Sequence, residues 1–156
     1  MIGLFIAILL FNFIAFKTNK RLTTNQMIHI WSFTIAFQFI FDTYVEFKYH
    51  GYWYFKKEIE WVGLFPHTFL LPPVNMMFLN WFPFKKRIIK KLMYLAIWVI
   101  IIIIYECLAL LPEPWGYFHY GWWKLRYSAI IDLILFLILL GYYKWIYKLE
   151  QQGDCQ

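Results

Sequence analysis

The sequence has little charge. Only 15% of its 156 residues are charged and 62% are hydrophobic, whereas a soluble domain averages about 25% charged residues. This excludes an ordinary soluble domain and predicts an integral membrane protein. The net charge of +6 does not indicate nucleic acid, because the basic residues fall in short loops beside apolar runs, where they set topology and meet anionic headgroups. Membrane lipids are the expected partner, and binding of nucleic acid is not expected.

The chain also has few cysteines and no linker. Cys107 and Cys155 fall on opposite sides of the membrane in the topology predicted below, so no disulfide is expected. Met1–Phe16 lacks a basic start and a small-residue cleavage pattern, so we expect it to stay attached as a span rather than act as a signal peptide. Without repeats or low-complexity tracts, residues 1–156 are predicted to form a single integral membrane domain.

Long apolar runs predict an all-α fold, a polytopic membrane bundle of about five transmembrane helices. The first run would reach only about 22 Å as a helix against a hydrocarbon core of about 30 Å. Either it spans with local thinning, or it lies at the surface of a four-span bundle. The runs are Ile2–Phe16, Met27–Phe47, Val62–Phe84, Leu92–Leu111 and Ser128–Tyr143.

Prolines interrupt the third run. Pro72 and Pro73 remove two backbone donors near its middle, which predicts a kink or break there. The freed carbonyls need donors, and Asn75 is a candidate. The aromatic and charged segment Lys48–Trp61 is typical of a membrane interface rather than a span.

The basic residues predict an orientation. Ten Lys and Arg lie on the side of the first loop, the third loop and the C-terminal tail, against five on the other side. Because cytoplasmic loops carry the excess of positive charge, the N-terminus is predicted outside and the C-terminus in the cytoplasm of a bacterial cell membrane.

Carboxylates inside the apolar runs are the main clue to function. Asp42, Glu46, Glu106 and Asp132 lie in or at the ends of these runs. A charged Asp near the middle of a membrane helix costs about 2.5 to 3.5 kcal/mol. Thr34, Gln38, Asp42 and Glu46 follow steps of four and therefore share one helix face. In the predicted topology, Asp42, His67, Glu106 and Asp132 all lie about 6 to 8 Å inside the outer boundary. They form one predicted polar layer, with Glu46 above it.

Two interpretations of this layer stay open. The carboxylates can pair the helices through Lys48, Lys124, Arg126 and Tyr or Trp donors. Alternatively, they bind a proton, cation or polar ligand. A single histidine with scattered carboxylates is not a metal motif, so no metal ligand and no cofactor is predicted. The candidate ligand-binding residues are Asp42, Glu46, His67, Glu106, Arg126 and Asp132.

Several stretches carry a family resemblance: DTYVEFKYHGYWYF (Asp42–Phe55), PVNMMFLNWFPF (Pro73–Phe84), Tyr105 with Glu106, and GWWKLRYS (Gly121–Ser128). Through them the chain resembles, over most of its length, a family of small uncharacterised multi-spanning membrane proteins of endospore-forming Gram-positive bacteria. The resemblance implies a bacterial cell membrane and a helical bundle. It assigns no activity, cofactor or catalytic residue.

We therefore expect a non-enzymatic membrane protein that binds a proton, cation or polar ligand in the acidic layer, or that serves as a homo-oligomer or subunit of a membrane assembly. A membrane enzyme acting on a lipid or isoprenoid at the outer leaflet, with acid and base drawn from Asp42, Glu46, Glu106 and His67, is one alternative. A purely structural membrane partner is the other.

Overall fold

Helices account for most of the chain in the computed structural model, which describes residues 2–57 and 61–153. Three stretches, Trp61–Trp81, Ile88–Ala109 and Leu125–Gln152, are long and apolar enough to cross a membrane, whereas the first helix is shorter. Cys155 lies outside the described residues. The α-helices of the described part are α1 (Ile2–Thr18), α2 (Thr24–Asp42), α3 (Leu71–Trp81), α4 (Ile88–Ala109) and α5 (Leu125–Gly153).

Two helical runs contain wide π-helical turns. The helix begun by α2 continues as a π-helix over Thr43–Lys48. Before α3 the chain passes through a 3₁₀ turn at Trp61–Gly63 and a π-helix at Pro66–Leu70. The irregular part of the third run therefore precedes Pro72 and Pro73 instead of lying at them.

The donor expected at the prolines is a different residue. Pro73 has no N–H, so the Phe69 carbonyl four residues earlier loses its α-helical donor. The Asn12 side-chain amide of α1 donates to this carbonyl at 2.8 Å. The prediction for Asn75 is wrong, because Asn75 donates to the Thr34 hydroxyl of α2 at 2.9 Å instead.

Two short strands were not predicted. Strand β1 (Tyr52–Tyr54) pairs antiparallel with β2 (Phe118–Tyr120), with Tyr52 opposite Tyr120 and Tyr54 opposite Phe118. The aromatic interface segment thus includes a strand, and the fold is a helical bundle with a small sheet. Gly121 follows β2, and a Cβ there would lie 2.3 Å from the His50 carbonyl oxygen, so only glycine fits this approach.

The helices pack around α3, which contacts α1, α2 and α5, while α4 packs on α5. Phe78 and Leu79 of α3 are fully buried in the core. At one end, which we call the basic end, Asn80 accepts hydrogen bonds from the backbone of Lys20 and Arg21. We call the opposite end, which carries β1 and β2, the sheet end.

The outer surface of the bundle is apolar. Large side chains of α1, α4 and α5 are more than half exposed, such as Leu9 at 72%, Ile88 at 66% and Ile130 at 59%. Such a surface suits helices surrounded by hydrocarbon.

Candidate functional site

Asp42, at the end of α2, is the centre of a buried polar cluster at the sheet end. Its side chain has no exposed surface. The Tyr52 hydroxyl of β1 donates to one carboxylate oxygen, and the Gln38 amide, one turn earlier, lies 3.2 and 3.0 Å from the two oxygens. Nδ1 of His67 lies 3.0 Å from Oδ2 of Asp42. Helix α2, strand β1 and the second π-helix therefore converge on one carboxylate.

Glu46 and His67 complete this cluster. Glu46 lies in the first π-helix and is 6% exposed; its Oε1 accepts from the Tyr54 backbone N–H at 3.2 Å, while its buried Oε2 has no hydrogen-bond partner. His67 is 3% exposed, and its Nδ1 has no hydrogen bond of acceptable geometry. One ligand atom from each of Asp42, Glu46 and His67 lies within 4.8 Å of the others.

Aromatic rings hold His67 in place. The Tyr54 ring stands perpendicular to the imidazole with centroids 4.9 Å apart. The Phe39 ring of α2 lies 5.6 Å away on a tilt. The imidazole therefore has little freedom to turn from Asp42.

A second cluster joins α4 to α5. Oε1 of Glu106 accepts from the hydroxyls of Tyr120 and Ser128, each at 2.6 Å. Ser128 in turn accepts from the Trp123 indole N–H at 2.8 Å. Asp132 lies one turn after Ser128, and its buried Oδ2 has no hydrogen-bond partner.

A cavity of about 150 Å³ lies between the two clusters. Gln38 and Tyr52 line it from the Asp42 side, and Glu106, Ser128 and Asp132 line it from the other. A smaller cavity of about 80 Å³ next to it shares Gln38 and Asp132 and adds Thr34 and Asn75. The larger cavity also has an aromatic wall, formed by Phe41, Tyr52, Tyr54, Tyr105, Tyr117, Phe118 and Trp123.

The tyrosines act as neutral donors. Burial raises the pKa of the Tyr52 phenol well above its usual range, and the neighbouring Asp42 carboxylate raises it further. Burial likewise raises the pKa of Tyr120, as does its hydrogen bond to Glu106. Both hydroxyls therefore keep their protons at neutral pH.

The expected basic partners do not reach the carboxylates. Arg126 is exposed, and its guanidinium lies 5.0 Å from the Tyr127 ring centroid. Lys48 lies over the Tyr44 and Tyr49 rings, and Lys124 is exposed. Arg126 and Lys124 precede the inward turn of α5 that carries Ser128 and Asp132, so they stay outside the clusters. The expected fork from Arg126 is not formed.

The structure thus brings five of the six candidate residues, Asp42, Glu46, His67, Glu106 and Asp132, to the sheet end and leaves Arg126 outside. The sequence did not indicate the two tyrosine donors, Tyr52 and Tyr120. What identifies both tyrosines is the register of the two strands, in which Tyr52 and Tyr120 lie opposite each other. That register is not visible in either segment alone. Comparison with protein-family models, curated proteins and solved structures found no match to this chain.

Proposed function

We propose that this is a polytopic membrane protein that binds a small cation in the cavity between the two carboxylate clusters. The observation that carries the proposal is the Asp132 carboxylate, which lines the cavity with one buried oxygen left without a partner. An unpaired buried carboxylate is costly. A bound cation would supply the missing interaction.

The cavity wall favours an organic cation such as a small amine or quaternary ammonium ion. Aromatic faces attract such cations, and the attraction grows when water is excluded. Glu106 and Asp132 would add two carboxylates on one side of the charge. An apolar cavity of about 150 Å³ can hold a molecule the size of benzene, so the volume suits a compact ion.

The proposal includes five membrane spans with the sheet end outside. The ten basic residues of the basic end support a cytoplasmic face for that end. Helix α1, with 17 residues, would extend about 26 Å, which is enough to span with slight thinning of the bilayer. The cavity would then lie in the outer half of the membrane.

Tetramethylammonium is a suitable probe cation for testing this proposed site. The purified full-length protein in detergent should show a higher Tm with tetramethylammonium chloride than with sodium chloride at equal ionic strength, because a ligand that binds the folded state stabilises it. Asp132→Asn should abolish the shift. It should also leave the probe-free Tm equal to or a few degrees above wild type, because it removes an unpartnered charge.

Glu106→Gln and Glu113→Gln complete the series. Glu106→Gln should weaken the probe-dependent shift while leaving the yield of folded protein nearly unchanged. Glu113 is exposed at the same end, so Glu113→Gln should behave as wild type. A large loss of folded protein for Glu106→Gln and Asp42→Asn alike would favour a purely structural role, and an unchanged shift in Asp132→Asn would exclude the proposed site.

A further inference from the structure

The geometry points to a divalent transition-metal site, of the Zn²⁺ class, formed by Asp42, Glu46 and His67. This site is separate from the proposed cation cavity and does not depend on it. All three side chains are buried, and one ligand atom from each lies within 4.8 Å of the others. Ligand atoms of one tetrahedral ion at about 2.1 Å lie about 3.4 Å apart. Rotation of the three side chains toward a common ion would cover the difference.

Nδ1 of His67 and Oδ2 of Asp42 lie close enough to be two ligands of one ion. Nδ1 and Oδ2 lie 3.0 Å apart, yet Nδ1 has no hydrogen bond of acceptable direction. Ligand atoms that share one tetrahedral ion at about 2.1 Å also lie side by side, at about 3.4 Å.

Glu46 supplies an independent observation. Its Oε2 is buried and has no partner, although Oε1 is held by the Tyr54 backbone. A second carboxylate, that of Asp42, lies in the same buried cluster. Two buried carboxylates beside each other repel. A divalent cation would remove the repulsion and give Oε2 its missing contact.

The surroundings resemble a metal site's outer shell. Gln38 and Tyr52 donate to Asp42, and the Tyr54 backbone donates to Glu46. Outer hydrogen bonds of this kind orient metal-binding carboxylates and affect affinity. They leave one oxygen of Glu46 and the face of Asp42 toward His67 available for the ion.

The helices themselves are distorted at this site. Glu46 lies in the π-helix Thr43–Lys48, and His67 lies in the π-helix Pro66–Leu70. Single π-helical turns are rare in proteins, and those that occur are often found at functional sites. Here both such turns of the described residues carry a candidate ligand.

The donor set selects the ion. One imidazole nitrogen and two carboxylate oxygens suit Zn²⁺, Mn²⁺, Fe²⁺ or Co²⁺, whereas Mg²⁺ and Ca²⁺ prefer oxygen alone. Three protein ligands leave a fourth position for water or another exchangeable ligand. A permanent structural zinc would have four protein ligands.

Metal titration of the full-length protein in detergent tests this inference. After chelator treatment and its removal, wild type should bind one equivalent of Zn²⁺ by calorimetry. With Co²⁺ it should show visible absorption bands, and X-ray absorption of the zinc form should show one imidazole among oxygen ligands. His67→Gln and Glu46→Gln should each weaken Zn²⁺ binding at least 10-fold. His119→Gln, at a half-buried histidine of the sheet, should bind as wild type.

The outcomes separate this site from the cation cavity. Asp132→Asn should keep Zn²⁺ binding while losing the tetramethylammonium shift. If His67→Gln does not fold, the wild-type stoichiometry, the imidazole count and Glu46→Gln still decide the question. Absence of one-equivalent binding in wild type, a zinc form without an imidazole ligand, or unchanged affinity in Glu46→Gln would overturn the inference.

Discussion

At the scale of single residues, the buried carboxylates differ in how fully they are satisfied. Both carboxylate oxygens of Asp42 accept from the Gln38 amide, and one of them also accepts from the Tyr52 hydroxyl. Asp132 and Glu46 each keep one buried oxygen without a partner. Because buried polar atoms are normally hydrogen-bonded, Glu46 and Asp132 are the two carboxylates that most need a further partner.

Tyr52→Phe should reduce stability, because it removes a hydroxyl donor from a buried carboxylate. The expected loss in the free energy of unfolding is about 1 to 3 kcal/mol, measured by denaturant titration of the metal-free protein in detergent. Tyr44→Phe is the control, because Tyr44 is 54% exposed. Equal stability of the two variants would show that the Tyr52 hydroxyl does not support Asp42.

The residue types of the site could be predicted from the sequence, but their partners could not. Acidic side chains in apolar runs stand out because burial of charge is costly. Steps of four put Thr34, Asp42 and Glu46 on one face, and all three are buried. Tyr52 and Tyr120 are two among 12 tyrosines, most of which suit a membrane interface equally well. Only tertiary packing distinguishes them.

At the scale of elements, the helices could be predicted from the sequence, but the two π-helical turns could not. Hydropathy indicates α4 within a few residues, because nearly every side chain in that run is apolar. The donor at the broken third helix depends on α1, which supplies Asn12 from 57 positions away in the chain. Asn75 is nearer in sequence, but the helix turns it toward Thr34. Sequence distance was a poor guide here.

The close backbone approach at Gly121 gives a prediction for the sheet. Gly121→Ala would place a Cβ 2.3 Å from the His50 carbonyl oxygen, so the strands must separate locally. We expect a loss of about 1 to 3 kcal/mol in the free energy of unfolding, measured by the same titration, together with weaker Zn²⁺ binding because Tyr52 and Tyr54 move.

Gly63→Ala and Gly141→Ala are the matched controls, since a Cβ at either position meets nothing within 4 Å. Gly141 lies inside α5, where alanine should raise stability by about 0.5 to 1 kcal/mol. If Gly121→Ala is as stable as these variants, the strands tolerate a wider separation than the structure shows.

At the scale of the whole molecule, the charged segments of the sequence correspond to the two ends of the bundle, and the apolar runs correspond to its helices. The loops around Lys20 and Arg21 meet the end of α3 at the basic end, and the carboxylate clusters lie at the sheet end. An up-and-down arrangement of helices follows directly from short loops between apolar runs. The sheet, in contrast, joins segments more than 60 residues apart, and no local sequence pattern predicts such a pairing.

The proposed orientation predicts cysteine accessibility. In intact cells, a membrane-impermeant thiol reagent should label Glu113→Cys in a Cys107→Ala background, because Glu113 is exposed at the sheet end. In the same background Cys155 should be labelled only after permeabilisation. The reverse pattern would place the sheet end in the cytoplasm and the cavity in the inner half of the membrane.

The facing of Tyr52 and Tyr120 across the sheet has a consequence for assembly. Side chains alternate along a strand, so a slip of one residue in either strand would turn the tyrosine of that strand to the opposite face. Asp42 would lose its phenolic donor if β1 slipped, and Glu106 would lose its donor if β2 slipped. Both acidic clusters therefore have all their phenolic donors only when the two distant strands of the small sheet pair in this one register.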